Sequence, residues 1–314
     1  MSFGEAFLAL PDLFPARRSG EPWGGRSVSL ELPGGPYQVS GLSAAQESQV
    51  RERFGELCGA PAAAGGTGGV QSRLFAVAAG DFREVDTRGW EYAIDFDHAP
   101  RSVRCAGLRI MARLDWSPVL SGSLWTCEDG KGRAEQELFP GIFENFLRVL
   151  LAYRLTELGG ALLHSAGVVD GGQAFLFLGA SGAGKTTLSR LSLAAGRTVL
   201  SDDLNALSPL PGGGARVDKL PFTGDVGDRR SGSPAYPLRG LLQLEKGPAA
   251  AFRPLSAARA AALLLACSPF VNADPHRRER LAANLSGLAR AAPAGVLTFS
   301  REGDFWDMLR KSLP

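Results

Sequence analysis

Phe143, Phe146, Leu147, Leu150, Leu151 and Leu155 recur at helical spacing, and Gly159-Gly160 follows them. The pattern predicts an amphipathic helix from Phe139 onward that ends at the glycine pair. Beyond it, short apolar runs alternate with turns: Ala161–Leu163, Ala174–Leu178 and Thr198–Leu200, with a second helical stretch from about Lys185 to Ala195. Strands alternating with a helix predict an α/β unit. The part before about Glu135 reads differently, with extended runs broken by Gly and Pro: Ser27–Leu32, Arg73–Ala78, Trp90–Phe96 and Leu108–Leu114. Ser43–Leu57 predicts a helix, with Ser43 as N-cap and Gln46 at the capping-box position. The small residues Ala60–Gly69 read as a loop. The expected organisation is a β-rich α+β accessory and substrate-recognition domain over 1–136, then an α/β domain over 137–314. No internal repeat is visible.

Composition narrows the classes. The chain has 314 residues with 34 Lys+Arg and 32 Asp+Glu, a formal charge of +2. That balance offers no electrostatic reason for a nucleic acid or an anionic membrane to be a partner. The N-terminal stretch lacks the basic, apolar, small-residue order of a secretory signal. The longest apolar run, Ala260–Cys267, is too short for a bilayer. Cys58, Cys105, Cys127 and Cys267 are scattered without metal-ligand spacing, and there are only three histidines. Free thiols in a cytoplasmic protein are expected.

Gly179-Ala180-Ser181-Gly182-Ala183-Gly184-Lys185-Thr186 matches G-x-x-x-x-G-K-[ST]. Glycines let the backbone wrap so that successive N–H groups face phosphate oxygens, at the positive end of the following helix. Lys185 would reach the β- and γ-phosphates and the Thr186 hydroxyl would hold Mg²⁺. The apolar run before the loop and the helical run after it are the context this motif needs.

Asp202 and Asp203 follow the Thr198–Leu200 run. One acid would anchor a metal and the other act as base toward a hydroxyl; an Asp-Asp turn or helix cap has the same residues. His164, in LLHSAGVV, reads either as a structural histidine or as a partner that tunes a catalytic carboxylate.

Taken in order, LLHSAGVV, GASGAGKTT and VLSDDLNAL resemble the C-terminal catalytic domain of the HPr kinase/phosphorylase family. PLRGLLQL (Pro237–Leu244) resembles a later strand element of that family. The likeness covers about residues 160–245. It implies a P-loop domain of the HPr kinase/PEP-carboxykinase type, with ATP and Mg²⁺ as cofactors. The implied phosphate-binding residues are Gly179, Ser181, Gly182, Ala183, Gly184, Lys185, Thr186 and Thr187. It further implies Asp202 as general base with His164 beside it, Thr186 and Asp203 on the metal, and Arg239 near the phosphates. Thr187 stands where bacterial HPr kinases usually carry an acid, and no later glycine- and arginine-rich signature is recognisable after Gly247. The whole resembles the divergent HPr-kinase-related proteins, some of which phosphorylate a serine on a precursor peptide. A small protein or peptide bearing the acceptor serine is the implied partner, and the HPr kinases' assembly into oligomers implies a homo-oligomer.

Two other functions fit the same motifs: a nucleotide-sensing module without phosphotransfer, and a small-molecule kinase acting on free serine. Pro221–Asp225 reads as a glycine turn or as a wall of an acceptor groove. Arg277, Arg278 and Arg280 read as a solvated helix face, and Phe305-Trp306 as a cap on the core.

Overall fold

The computed structural model describes residues 21–59, 69–78, 94–107, 110–128, 134–222, 224–226, 233–300 and 305–313. The chain divides into two compact units, 1–151 and 152–314.

In the first unit, eight strands lie side by side in the order β3 (Cys58–Gly59), β1 (Arg26–Leu32), β2 (Gly35–Leu42), β4 (Val70–Ala78), β8 (Leu120–Glu128), β7 (Ile110–Trp116), β6 (Ser102–Gly107) and β5 (Asp95–Ala99). β4 runs parallel to both its neighbours and the other pairs are antiparallel. Val28, Leu30, Val39, Leu74, Leu114 and Leu124 are buried on the core side. Helix α1 (Ala44–Phe54) carries the expected capping box: Gln46 N–H donates to Ser43 Oγ (3.2 Å), and Ser43 N–H donates to Gln46 Oε1 (2.9 Å). Of the expected Ala60–Gly69 loop, only Gly69 is among the described residues.

Helix α2 (Ala134–Glu157) carries the chain from one unit into the other. The division falls after Leu151, inside this helix. The reason is packing by the first part of the helix. The Phe143 ring meets Phe54 edge-on at 5.9 Å, Arg53 pairs with Glu144, and Gly122 leaves room for the Phe146 ring. The helix stops where the glycine pair predicted: Gly159 takes φ 83° and Gly160 N–H donates to Leu155 O (2.8 Å).

In the second unit, β10 (Gln173–Leu178), β9 (Ala161–Asp170), β12 (Leu204–Pro209), β13 (Ala215–Asp218) and β14 (Ala235–Lys246) follow one another, and β14 pairs back onto β10. These five therefore close a ring. β16 (Ala294–Phe299) and β15 (Ala251–Pro254) extend the sheet from β14, and β11 (Thr198–Ser201) pairs with β9. Helix α3 (Lys185–Ala194) follows β10 directly. Helices α4 (Ala257–Ala266), α5 (Arg278–Leu288) and α6 (Phe305–Ser312) complete the unit. Phe305 and Trp306 enter a core with Phe175, Phe177, Leu188 and Phe299, as the sequence suggested, and Trp306 Nε1 donates to Ser192 Oγ (3.2 Å). The basic run is not a plain solvated face. Arg277 bonds Asp274 at 2.9 Å and lies over the Tyr153 ring, while Arg280 donates to Glu157 O.

Asp170, at the end of β9, accepts two hydrogen bonds from Arg310 (Nε 2.7 Å, Nη2 2.8 Å) and pairs with Arg197, whose guanidinium lies over Trp306. The Arg310 hydrogen bonds, aided by the charges of Arg310 and Arg197, hold the Asp170 carboxyl below the usual carboxylate range. A depressed folded value contributes stability above the unfolded pKa of about 3.9, which is lost as pH falls through the folded value. Because Arg310 is half-exposed, solvent screening limits the contribution, and Asp170→Asn is expected to cost about 1 kcal/mol at pH 7. Thermal melts of both proteins from pH 7 down to pH 2 check this: the gap in Tm narrows below about pH 4.

Candidate functional site

The motif Gly179–Thr186 forms the turn from β10 into α3. Gly182 (φ 77°) and Gly184 (φ 107°) adopt left-handed backbone that side-chain-bearing residues avoid. Gly184 is constrained twice over, because a Cβ there would lie 2.9 Å from the Phe299 ring. Ser181 and Gly182 are exposed at the loop's crest, and Ala183 N–H donates to Ala180 O (3.1 Å). Thr186 and Thr187 are half-buried on the first helical turn. Lys185 is only 7% exposed, and its ammonium donates to Gly179 O (2.9 Å) and Ala180 O (3.3 Å). Burial draws its pKa below the ordinary lysine value, against the opposing pull of Cys267, Asp203 and Asp202. A buried ammonium held by neutral carbonyls, beneath a loop ending at a helix N-terminus, suits an anionic phosphate.

The carboxylates arrive by strand pairing. β11 and β12 both run antiparallel along the same edge of β9, with Ser201 opposite Gly167 and Leu204 opposite His164. Asp202 and Asp203 lie between these two stretches. Ser165 N–H donates to Asp203 O (3.0 Å), and His164 Nδ1 stands 3.2 Å from Asp203 Oδ1. An ionised carboxylate can only accept, so a proton shared in this pair would come from Nδ1.

The pairing differs from the expected Asp202–His164 partnership. Asp202 turns instead toward the segment Gly224–Val226, where its Oδ1 accepts the Val226 N–H (3.0 Å), and it is 6% exposed. Asp203 keeps 28% of its side chain exposed and His164 46%. Gly224 (φ 68°) permits this arrangement, since a Cβ there would come within 2.3 Å of Asp202 Oδ1. The Pro221–Asp225 stretch is thus a glycine turn packed against a site carboxylate; Thr223 lies outside the described residues.

Arg239 is separated from the others. β14 runs parallel to β10 with Leu238 opposite Ala174 and Gln243 opposite Leu178. Arg239 therefore sits beside the start of β10, about 13 Å along the strand from the loop. Its guanidinium donates to Leu313 O (3.3 Å). The register sends it to the end of the strand opposite the phosphate loop.

Three residues that the sequence did not single out belong to the site. Ser201 Oγ accepts from Asp203 N–H (3.0 Å) and Leu204 N–H (3.1 Å) and donates to Phe222 O (2.8 Å). Asn205 is 1% exposed and donates to Ser165 O (2.8 Å). Cys267, just after α4, accepts the His164 N–H on its carbonyl (2.7 Å), and its thiol faces Gly179 N–H and Lys185. Burial pushes that thiol above the usual cysteine range, opposed by the Gly179 N–H and the Lys185 charge. Ser201 and Asn205 flank the acid pair in SDDLN, whereas Cys267 carried no sequence signal because it reaches the loop only through tertiary packing. Cys58, Cys105 and Cys267 are free.

Among the described residues, no group of three or more His, Cys, Asp and Glu could hold a metal ion, and no helix is long and apolar enough to cross a membrane. No curated protein matches the chain. A family model described as the SynChlorMet cassette protein ScmC matches residues 142–314, more than half of the chain and including the whole site. The chain belongs to the ScmC family of SynChlorMet cassette proteins.

Proposed function

We propose that the protein is an ATP–Mg²⁺-dependent cytoplasmic kinase that phosphorylates a serine hydroxyl on a small protein or peptide, with a P-loop domain of the HPr kinase/PEP-carboxykinase type. The observation that carries this reading is the His164–Asp203 pair at 3.2 Å, joined with Asp202 in the electrostatic surroundings of the buried Lys185. Phosphate binding alone needs no such pair, whereas transfer to a hydroxyl needs a group to take the proton.

In this reading the loop N–H groups and Lys185 hold the β- and γ-phosphates. The seryl oxygen attacks the γ-phosphorus, the bond from that phosphorus to the β,γ-bridging oxygen breaks, and ADP leaves. Asp203 accepts the seryl proton. His164 donates its Nδ1–H to the same carboxylate and orients it. Asp202, held by Val226 N–H, adds fixed negative charge. Thr186 and Asp202 would hold Mg²⁺, which suits its habit of binding through one or two carboxylates together with substrate phosphates. When bound, that ion neutralises charge on the transferring phosphoryl group. The family's description as a cassette protein supports an acceptor encoded nearby.

Transfer of γ-labelled phosphate from ATP–Mg²⁺ to small proteins encoded beside this gene tests the reading. Label on an acceptor serine is expected from the wild-type protein and not from Asp203→Asn. If ATP binds and no neighbouring protein, peptide or free serine gains label, the kinase reading fails and a nucleotide-sensing role takes its place.

A further inference from the structure

A polar seam runs under the acid pair. Ser165 and Gly167 on β9 and Ser201 and Asn205 on the paired chain form it, and both serines and the asparagine are at most 1% exposed. Asn205 Nδ2 donates to Ser165 O (2.8 Å) and Ser165 Oγ (3.1 Å). Its Oδ1 lies so close to Gly167 that a Cβ there would approach within 2.3 Å, so the β9 backbone is bare where the amide crosses it. Ser201 Oγ ties the two N–H groups of Asp203 and Leu204 to the Phe222 carbonyl.

Burying a primary amide is costly unless its hydrogen bonds are made, and an apolar residue would satisfy packing in a strand interior without that demand. The shorter bonds that Asn205 makes are to Ser165, with a longer one to Ser201 O (3.5 Å); Ser165 is next to His164, and the Ser165 N–H holds Asp203 O. A one-residue slip between these strands would turn the side chains to opposite faces and part His164 from Asp203.

We infer that Asn205 is a positioning residue: through Ser165 it pins β9 against the Ser201–Leu204 turn in the one register that sets His164 Nδ1 on Asp203. The inference rests on the kinase reading, in which that pair receives the seryl proton.

The test compares Asn205→Leu and Asn205→Ser with the wild type in three measurements on the full chain. These are ATP affinity, kcat for acceptor phosphorylation, and the nitrogen-15 NMR spectrum of the His164 imidazole, assigned with His164→Gln. Both variants are expected to bind ATP within about twofold of wild type, to lose 10- to 100-fold in kcat, and to lose the Nδ1–H signal of the paired tautomer. Ser165→Ala leaves the carbonyl that Asn205 bonds, and it is expected to keep the signal and kcat within about threefold. Should Asn205→Leu not fold, Asn205→Ser carries the same readouts. An unchanged imidazole spectrum and kcat in a folded variant overturns the inference, as does a loss of ATP affinity in step with kcat. Because the spectrum requires no acceptor, a lost imidazole signal with no detectable transfer in the wild type upholds the positioning role and sinks the kinase reading alone.

Discussion

Lys185→Ala is expected to raise the Kd for ATP–Mg²⁺ by about 100-fold or more, equivalent to about 2.7 kcal/mol. The side chain is buried, and its ammonium donates to the loop carbonyls of Gly179 and Ala180. A charge kept out of water and already aimed at the loop needs little reorganisation to meet a phosphate, so its removal forfeits a charge-assisted contact of high value. The same substitution is expected to leave Tm unchanged or raised. Burial lowers the Lys185 pKa, so the folded state binds this proton less readily than the unfolded chain, and the charged group costs stability at neutral pH. That cost shrinks as pH rises from the folded value toward the ordinary lysine value, and alanine removes it at every pH. Wild-type ATP affinity should correspondingly weaken at a lower alkaline pH than an ordinary lysine would dictate. Calorimetric titration and thermal melts check both halves. A Kd within threefold of wild type would remove Lys185 from the phosphate site.

Asp203→Asn is expected to lower kcat for phosphotransfer by roughly 10²- to 10⁴-fold while ATP affinity stays near the wild-type value. Asparagine keeps the shape and still accepts from His164, but it cannot take up the seryl proton. Asp202→Asn is the informative contrast. Its carbonyl oxygen can still accept the Val226 N–H, so the Gly224–Val226 segment is expected to stay in place. The main effect there should be a higher Mg²⁺ requirement, with most of kcat restored when Mg²⁺ is saturating. If instead Asp202→Asn abolishes transfer at saturating Mg²⁺ and Asp203→Asn does not, the proton acceptor is Asp202, and the His164–Asp203 pair is structural.

Local features were legible because they depend on residues within one turn of each other. The Ser43–Gln46 capping box needs only a helix start, and the α2 stop needs only a residue free to take φ 83° at Gly159. The loop from Gly179 to Thr186 belongs to the same kind: its glycine spacing, the apolar strand before it and the helix after it all lie within a short stretch of chain. The boundary between units was less legible, because α2 is one continuous helix and only its partners along its length divide it.

The amino-acid sequence by itself thus determined that a glycine-rich strand–loop–helix, a histidine and two adjacent carboxylates occur in that order. Which of them meet was decided by the tertiary structure. The antiparallel register of β9 with β11 and β12 put Asp203, not Asp202, on His164, and the approach of Gly224–Val226 buried the other acid. The parallel register of β14 on β10 carried Arg239 away from the loop, although its sequence context resembled a site residue. Packing of the α4 end brought Cys267 to Gly179 and Lys185 from far along the chain. Each of these outcomes depends on pairing between distant segments, where a shift of one residue changes every neighbour while leaving the local sequence pattern the same.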